Sequence, residues 1–267
     1  MNAVTAVFAD TSVIAKRNVI KIVRVPEVMV FVLMSPIMFV LLFGYVFGNA
    51  IAVEGTSYRE FLIAGIFAQS VMFGATFTGA GIAEDMQKGI MDRFRSLPMS
   101  RSAVLAGRTI SDVVYNLLSL IIMAITGLAV GWRIRGSFLE AILGFVLLLV
   151  FAYAVSWVMA YIALLVPSVE VINNASFMVI FPLTFIANTF VPAEDLPGPL
   201  KTFAEWNPVS SVTQAARELF GNIPPGVPAP DVWSLQHPII YTMIWVVITI
   251  AVFAPLSVNR YKRANRR

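Results

Sequence analysis

The sequence contains no cysteine, a single histidine and few charged residues, and each shortage excludes a class of protein or site. Without cysteine there are no disulfides, no thiolate metal sites and no cysteine nucleophile. His237 alone rules out a metal site built from several histidines. Charged residues make up 13% of the chain, against about 25% in soluble proteins, and the mean hydropathy is +0.82. This composition disfavours a soluble globular domain.

A phosphate-binding P-loop is also missing. That motif requires Gly-Lys followed by Ser or Thr, and none of the lysines follows a glycine. The chain therefore cannot hydrolyse ATP by that route. An intramembrane enzyme would need a nucleophile or an acid–base set, and none is evident, so no catalytic residue, bound cofactor or metal ligand is expected in this chain.

What the sequence has instead is six long apolar runs free of Asp, Glu, Lys and Arg. They cover residues 28–48, 61–83, 113–131, 141–165, 171–191 and 239–258. A helix that crosses a bilayer needs about 20 apolar residues, whereas the strands of a membrane barrel alternate over about 10. The runs predict an all-α integral membrane protein with six transmembrane helices in a single domain over 1–267. Their lack of ionisable side chains argues against a proton or sodium relay.

The positive charges are distributed unevenly between the two sides of this predicted topology. Six spans place both termini on one side, together with the loop after the second run. That side receives most of the lysines and arginines, so the positive-inside rule places it in the cytoplasm. The pI of about 9.5 is then explained by a multi-pass protein of the cell membrane in contact with lipid, with no nucleic acid as a partner.

Residues 5–24 form a predicted amphipathic helix that lies in the cytoplasmic membrane interface. At 100° per residue, a polar stripe and an apolar face separate. The stripe contains Asp10, Arg17, Lys21 and Arg24, and the opposite face contains Phe8, Ala15, Val19, Ile22 and Val23. Such a helix is either an anchor beside the first span or a contact for a partner, and the two are compatible.

Residues 84–101 read EDMQKGIMDRFRSLPMSR and place a dense mixture of charges between the second and third runs. Apolar residues recur there at helical spacing, which predicts a helix over 84–97 that Pro98 closes. These residues are Met86, Ile90, Phe94 and Leu97. Gly89 is unfavourable inside a helix, and a close backbone approach is one reason for it. The helix is either a docking element for a partner or a solvated loop packed on its own bundle.

The same stretch resembles the cytoplasmic loop of ABC-2 type permeases, in particular those of the daunorubicin-resistance type. Supporting features are Arg24-Val25-Pro26-Glu27 before the first run, Phe190-Val191-Pro192 after the fifth, and Asn207-Pro208. The resemblance implies a coupling helix within 84–97 that docks on a separate ATP-binding subunit, which would hold the ATP and Mg. It also implies a dimer with a second permease copy or a related permease. The residues implied for contact with the ATP-binding subunit are Glu84, Asp85, Met86, Lys88, Gly89, Ile90, Arg93, Phe94, Arg95, Leu97 and Pro98.

The longest stretch between runs is the proline-rich segment 192–238. A helical stripe within it ends at Gly221. The stripe consists of Val209, Val212, Ala216, Leu219 and Phe220. The resemblance implies outward re-entrant helices here, between the fifth and sixth spans, which either gate release or pack the outer face.

Uncharged polar residues within the runs are candidates for a substrate path. They are Gln69, Thr76, Asn116 and Asn188, and each either lines that path or bridges two helices. The weakly polar, aromatic-rich runs suit a hydrophobic or amphipathic substrate such as a drug, a lipid or a lipid-linked glycan. The sequence thus predicts the membrane-spanning permease subunit of an ATP-driven exporter. The alternatives are a passive channel and a membrane scaffold without an ATPase partner.

Overall fold

A computed structural model describes residues 3–23, 34, 37–47, 57–166, 168–223, 226 and 230–263. All regular secondary structure within these residues is helical, so the predicted all-α class is confirmed. The helices are α1 (Ala3–Val23), α2 (Ile37–Val46), α3 (Tyr58–Gly74), α4 (Thr76–Gln87), α5 (Ile90–Ser96), α6 (Arg101–Ala129), α7 (Phe138–Leu165), α8 (Val169–Phe185), α9 (Gly198–Trp206), α10 (Pro208–Leu219), α11 (Trp233–Gln236) and α12 (Pro238–Arg263).

Four stretches of helix are long and apolar enough to cross a membrane. They are Tyr58–Gln87, formed by α3 and α4, Ser102–Ala129 in α6, Phe138–Leu165 in α7 and Pro238–Arg263 in α12. These stretches correspond to the second, third, fourth and sixth apolar runs. The chain is therefore a multi-pass membrane protein.

The other two predicted spans are not confirmed. Helix α8 has 17 residues and is about 26 Å long at 1.5 Å per residue, which is less than the ~30 Å hydrocarbon core of a bilayer. The chain leaves this helix at Ile186, and the backbone N–H of Asn188 then donates to the Ser210 hydroxyl of α10. Of the first run, only 34 and 37–47 fall within the described residues, and α2 spans ten residues there.

Helix α3 lies at the centre of the bundle and is buried on nearly every side. Leu62, Ala64, Ile66 and Phe67 are fully enclosed, and the helix contacts α6, α7 and α10. A helix surrounded by protein is apolar all round. The uninterrupted second run therefore reflects burial within the bundle as well as membrane insertion.

Four aromatic rings form a cluster at the end of the bundle that lies farthest along α6 from residues 84–101. Phe67 and Phe220 each contact the other rings of the set, Trp132 and Phe145 included, with centroids between 4.9 and 6.0 Å apart. Phe220 follows α10, so the cluster holds that helix against α3, α6 and α7. We call this the aromatic end.

Helix α10 makes the middle of the proline-rich segment 192–238 part of the core. Val209 and Ala216 are buried, and the Asn207 side chain caps the helix by accepting the Val209 N–H at 2.9 Å. The helix finishes just before Gly221, as predicted, where φ is +69°. The re-entrant placement of this segment in a bilayer stays a prediction.

A second buried cluster lies at the opposite end, which we call the loop end. It brings together Ile82 of α4, Met91 of α5, Leu105 of α6, Trp157 of α7 and Tyr261 of α12. This cluster is the base on which residues 84–101 rest.

Candidate functional site

The loop between α4 and α6 contains two helical pieces, so the predicted continuous helix over 84–97 is wrong. Helix α4 stops at Gln87, and α5 begins at Ile90 after a turn. The cause is Gly89, whose φ of +67° lies in the left-handed region that glycine adopts without strain. A close backbone approach does not explain this glycine, since a Cβ at Gly89 would have no atom of the described residues within 4 Å.

The short helix α5 is fixed to the bundle by a residue outside the predicted stripe. Met91 is 3% exposed, and its carbonyl oxygen accepts the hydroxyl of Tyr261 at 3.2 Å. Of the predicted stripe, Ile90 and Phe94 are half-buried and Leu97 is 52% exposed. Because the helix breaks at the glycine, a spacing counted through the break from Met86 selects the wrong face.

Helix α1 packs along α6 and reaches the loop. Gly107 of α6 permits the approach, since a Cβ there would lie 2.6 Å from the Cβ of Ile14. Near the start of α6, the Asp10 carboxylate accepts the backbone N–H of Ser100 at 3.1 Å. Asp10 belongs to the predicted polar stripe, so part of that stripe contacts the loop.

Arg17 makes the second connection between α1 and the loop. Its Nη2 lies 2.6 Å from Asp85 Oδ2, and its guanidinium sits 4.9 Å from the centroid of the Phe94 ring. Of the predicted apolar face of α1, Phe8 is exposed and Ala15 and Val19 are half-buried, whereas the buried Ile14 was not assigned to that face. The side chains of residues 21–24 lie outside the described part of the chain.

The outward surface of the loop is made by exposed residues of both signs and by two apolar residues. It consists of Gln87, Lys88, Asp92, Arg93, Ser96, Leu97 and Pro98. Lys88 Nζ lies 2.5 Å from Glu84 Oε1, and this hydrogen bond raises the pKa of Lys88 above its usual value. The lysine is therefore charged at any physiological pH. We call the exposed residues Gln87, Lys88, Asp92, Arg93, Ser96, Leu97 and Pro98 the docking surface.

The predicted contact residues are thus divided by the fold. Lys88, Arg93, Leu97 and Pro98 are exposed, whereas Asp85 is buried against Arg17. Half-buried positions are Glu84, Met86, Gly89, Ile90 and Phe94. The side chain of Arg95 lies outside the described part of the chain. Their role in binding a partner stays a prediction.

The four residues predicted for a substrate path have different hydrogen-bond partners. The Thr76 hydroxyl donates to the Phe73 carbonyl at 2.7 Å, and the Asn116 amide donates to the Asp112 carbonyl at 2.9 Å. The Asn188 amide donates to Gln214 at 3.2 Å. The amide nitrogen of Gln69 is buried without a partner among the described residues. The Thr76 bond joins the start of α4 to the end of α3, and the Asn116 bond stays within α6. A shared path stays a prediction.

Comparison with known proteins agrees with the resemblance carried by residues 84–101. The profile of the ABC-2 type transporter family matches residues 9–220, from α1 to the end of α10. The chain belongs to the ABC-2 type transporter family. It is 31% identical over 240 residues to the daunorubicin resistance ABC transporter permease protein DrrB1 of Streptomyces coeruleorubidus, covering 90% of this chain and 81% of that protein.

A second relative of this ABC-2 protein is more distant. It is described as a probable doxorubicin resistance ABC transporter permease protein, DrrC, of Mycobacterium tuberculosis. The identity is 22% over 232 residues, which cover 86% of this chain and 80% of that protein. Membership of the family makes the chain a transport subunit, and it implies an ABC ATP-binding partner.

Proposed function

We propose that the chain is the membrane-spanning permease subunit of an ATP-driven ABC exporter. A separate ATP-binding subunit would hold ATP and Mg, hydrolyse the nucleotide and dock on the docking surface. The observation that carries the proposal is the construction of this surface. Helix α5 is held on the bundle by the buried Met91 side chain and by the hydrogen bond from Tyr261 to the Met91 carbonyl, while Lys88, Arg93 and Leu97 are exposed.

The docking surface combines the chemistry that a reversible protein contact uses. Leu97 and Pro98 offer an apolar centre, and desolvated apolar contacts supply most of the affinity of an interface. Lys88, Asp92 and Arg93 add exposed charges of both signs, and such charges fix the orientation of a partner and raise its association rate. Because α5 is joined to α1, α4 and α12, a displacement imposed on it would reach three helices of the bundle.

The full architecture that we propose has six spans and two permease chains. The first and fifth runs would complete the spans that α2 and α8 represent in part. Helix α8 presents Phe177, Met178 and Val179 on an exposed face, as expected of a helix that meets lipid or a second permease copy. The basic end of α12, with Arg260, Lys262 and Arg263, supports cytoplasmic termini.

The proposed substrate is hydrophobic or amphipathic. The names of both relatives refer to resistance to a drug, and the helices of this chain are weakly polar and rich in aromatic rings. A drug, a lipid and a lipid-linked glycan all fit this chemistry. Gln69, Thr76, Asn116 and Asn188 are proposed for the path, with segment 192–238 as re-entrant helices at the outer face.

Co-purification tests the proposal. The tagged chain is extracted from its own host in mild detergent, and its partners are identified by mass spectrometry, for the unmodified chain, R93E and R133E. Arg93 and Arg133 are both exposed, but Arg93 lies in α5, before α6, and Arg133 lies after the far end of α6. We expect a P-loop ATPase with the unmodified chain and with R133E, and a weaker yield with R93E.

Two results would contradict the proposal. Repeated recovery of the unmodified chain without any ATPase, under conditions that preserve other membrane complexes, would favour a channel or a scaffold. Equal recovery with R93E and R133E would place the ATPase elsewhere on the chain.

A further inference from the structure

A buried ionic cluster joins the two helices that flank the docking surface. Asp112 of α6 is 0% exposed, and its Oδ2 accepts the hydroxyl of Thr78 on α4. The same oxygen lies 3.5 Å from Nε of Arg108, one turn earlier on α6. The carboxylate therefore connects α4 to α6 through the hydrogen bond from Thr78, while its ion pair with Arg108 stays within α6.

Arg108 makes a second connection between the same two helices. Its Nη2 donates to the backbone carbonyl of Phe77 at 2.6 Å. The room for its guanidinium comes from Gly81 of α4, because a Cβ there would collide with it. On α4, the space at Gly81 and the Phe77 carbonyl thus accommodate Arg108 of α6. The Thr78 hydroxyl of α4 donates to Asp112 of α6.

Burying these charged side chains inside an apolar bundle costs free energy. An ion pair withdrawn from water is often less favourable than apolar residues of the same shape, and ionisable residues within membrane helices mark functional positions. The pairing here is also incomplete, since Asp112 Oδ1 and Arg108 Nε have no hydrogen-bond partner among the described residues. Stability alone does not explain why these side chains are present.

The position of the cluster suggests what it does. Thr78 lies nine residues before the end of α4 at Gln87, and Asp112 lies eleven residues after the start of α6 at Arg101. At 1.5 Å per residue these separations are about 14 and 16 Å. The two helices are therefore joined at nearly equal distances from the docking surface, so neither can slide without straining the cluster.

We propose that Thr78, Arg108 and Asp112 are positioning residues that couple α4 and α6. A displacement received at the docking surface then moves both helices together, and none of it is lost in sliding between them. The inference rests on the proposed function, because it requires an ATP-binding subunit that displaces α5. In this role the three residues contact neither the nucleotide nor the substrate.

Substitution of Thr78 separates positioning from folding. The variant T78V keeps the shape of the side chain and removes only the hydroxyl. Its matched control is T184V, because Thr184 is equally buried but donates to the Ile180 carbonyl of its own helix at 2.9 Å. Each complex with the ATP-binding subunit is reconstituted in vesicles, and ATP hydrolysis and substrate movement are both measured.

We expect T78V to assemble and hydrolyse ATP at the rate of the unmodified complex, while substrate moved per ATP falls about fivefold. That factor corresponds to one hydrogen bond of ordinary net strength. D112N should act in the same direction, and D112E should recover part of the ratio. T184V should leave the ratio unchanged.

An unchanged ratio in T78V and D112N would overturn the inference, as would an equal loss in T184V. Parallel loss of hydrolysis and transport in T78V would show a structural role and would also overturn it. Absence of ATP hydrolysis in the unmodified complex would instead overturn the proposed function, and the inference with it.

Discussion

The loop end and the aromatic end of the bundle are held together by different chemistry. At the aromatic end, the Phe220 ring lies within 6.0 Å of the rings of Phe67, Trp132 and Phe145. The Trp132 indole donates to Asn222 at 2.8 Å. At the loop end, residues 84–101 rest on the buried cluster that includes Met91, and single polar contacts join them to α1 and α12. Arg17 pairs with Asp85, and the Tyr261 hydroxyl bonds one carbonyl of α5.

The difference indicates which end can move. Aromatic packing and buried hydrogen bonds are costly to break, whereas a partly exposed ion pair contributes little and is weakened by salt. The contacts of the loop with α1 and α12 can therefore be exchanged more easily, while the aromatic end keeps the helices in register. Contacts that exchange easily suit an element that receives force from outside the membrane. Packing that is costly to break suits a support for helices that move.

The largest expected effect is at the aromatic end. F220A removes a fully buried ring that contacts Phe67, Trp132 and Phe145, and it should lower the free energy of unfolding by about 3–5 kcal/mol. L97A, at an exposed position of the loop end, should change it by less than about 0.5 kcal/mol. Denaturant unfolding in detergent measures both, and similar losses would remove the contrast.

A smaller effect is expected from the hydrogen bond that accompanies the rings. Asn222 accepts the Trp132 indole N–H and donates to the Arg133 carbonyl, both at 2.8 Å. N222L leaves the buried indole donor unpaired, so the free energy of unfolding should fall by about 1–3 kcal/mol. N173L is the control, because Asn173 is exposed on α8. No loss in N222L would argue that water replaces the bond.

Replacing one glycine by alanine at each end compares the two ends through the same change of backbone preference. Gly89 at the loop end and Gly131 at the aromatic end have φ of +67° and +103°, and both have open space around the Cβ position among the described residues. G89A and G131A should each cost about 1–2 kcal/mol, since an L residue is strained there. Only G89A should reduce co-purification of the ATPase. An equal reduction in G131A would mean that general destabilisation, not loop geometry, controls binding.

The smallest effect should come from the ion pair between α1 and the loop. The Arg17 side chain is 34% exposed and that of Asp85 is 8% exposed, so R17M should lower the free energy of unfolding by about 1 kcal/mol. The difference should shrink as salt is added. K16M, at an exposed neighbouring lysine, should show no such change. A loss in R17M that is independent of salt would indicate that packing on Phe94 holds α1 in place.

The sequence predicts the helices well and their buried faces poorly. Long apolar runs and the stop at Gly221 identify four membrane-length helices and α10, because length and turn chemistry are local properties. The face that a membrane helix buries is not visible in its hydropathy, since lipid and protein interior are equally apolar. Met91, in the loop, was missed because the break at Gly89 resets the helical phase.

The buried charges were missed for a different reason. Asp112 stands one residue before the third apolar run, so a count by runs assigns it to the loop. Its burial depends on Thr78 and on the space at Gly81, which belong to another helix. Likewise, the pairing of Arg17 with Asp85 joins residues 68 positions apart, and nothing in local periodicity indicates it.

The most direct test of the docking surface uses the absence of cysteine from the chain. Single cysteines are introduced by L97C at the loop end and by L139C at the far end, both at exposed leucines. Each variant is treated in native membranes with a short cysteine-to-amine cross-linker, and the products are identified by mass spectrometry. We predict that L97C is joined to a P-loop ATPase and that L139C is not. Cross-linking of the ATPase by L139C alone, or by neither variant while the ATPase still co-purifies, would contradict its docking on residues 87–98.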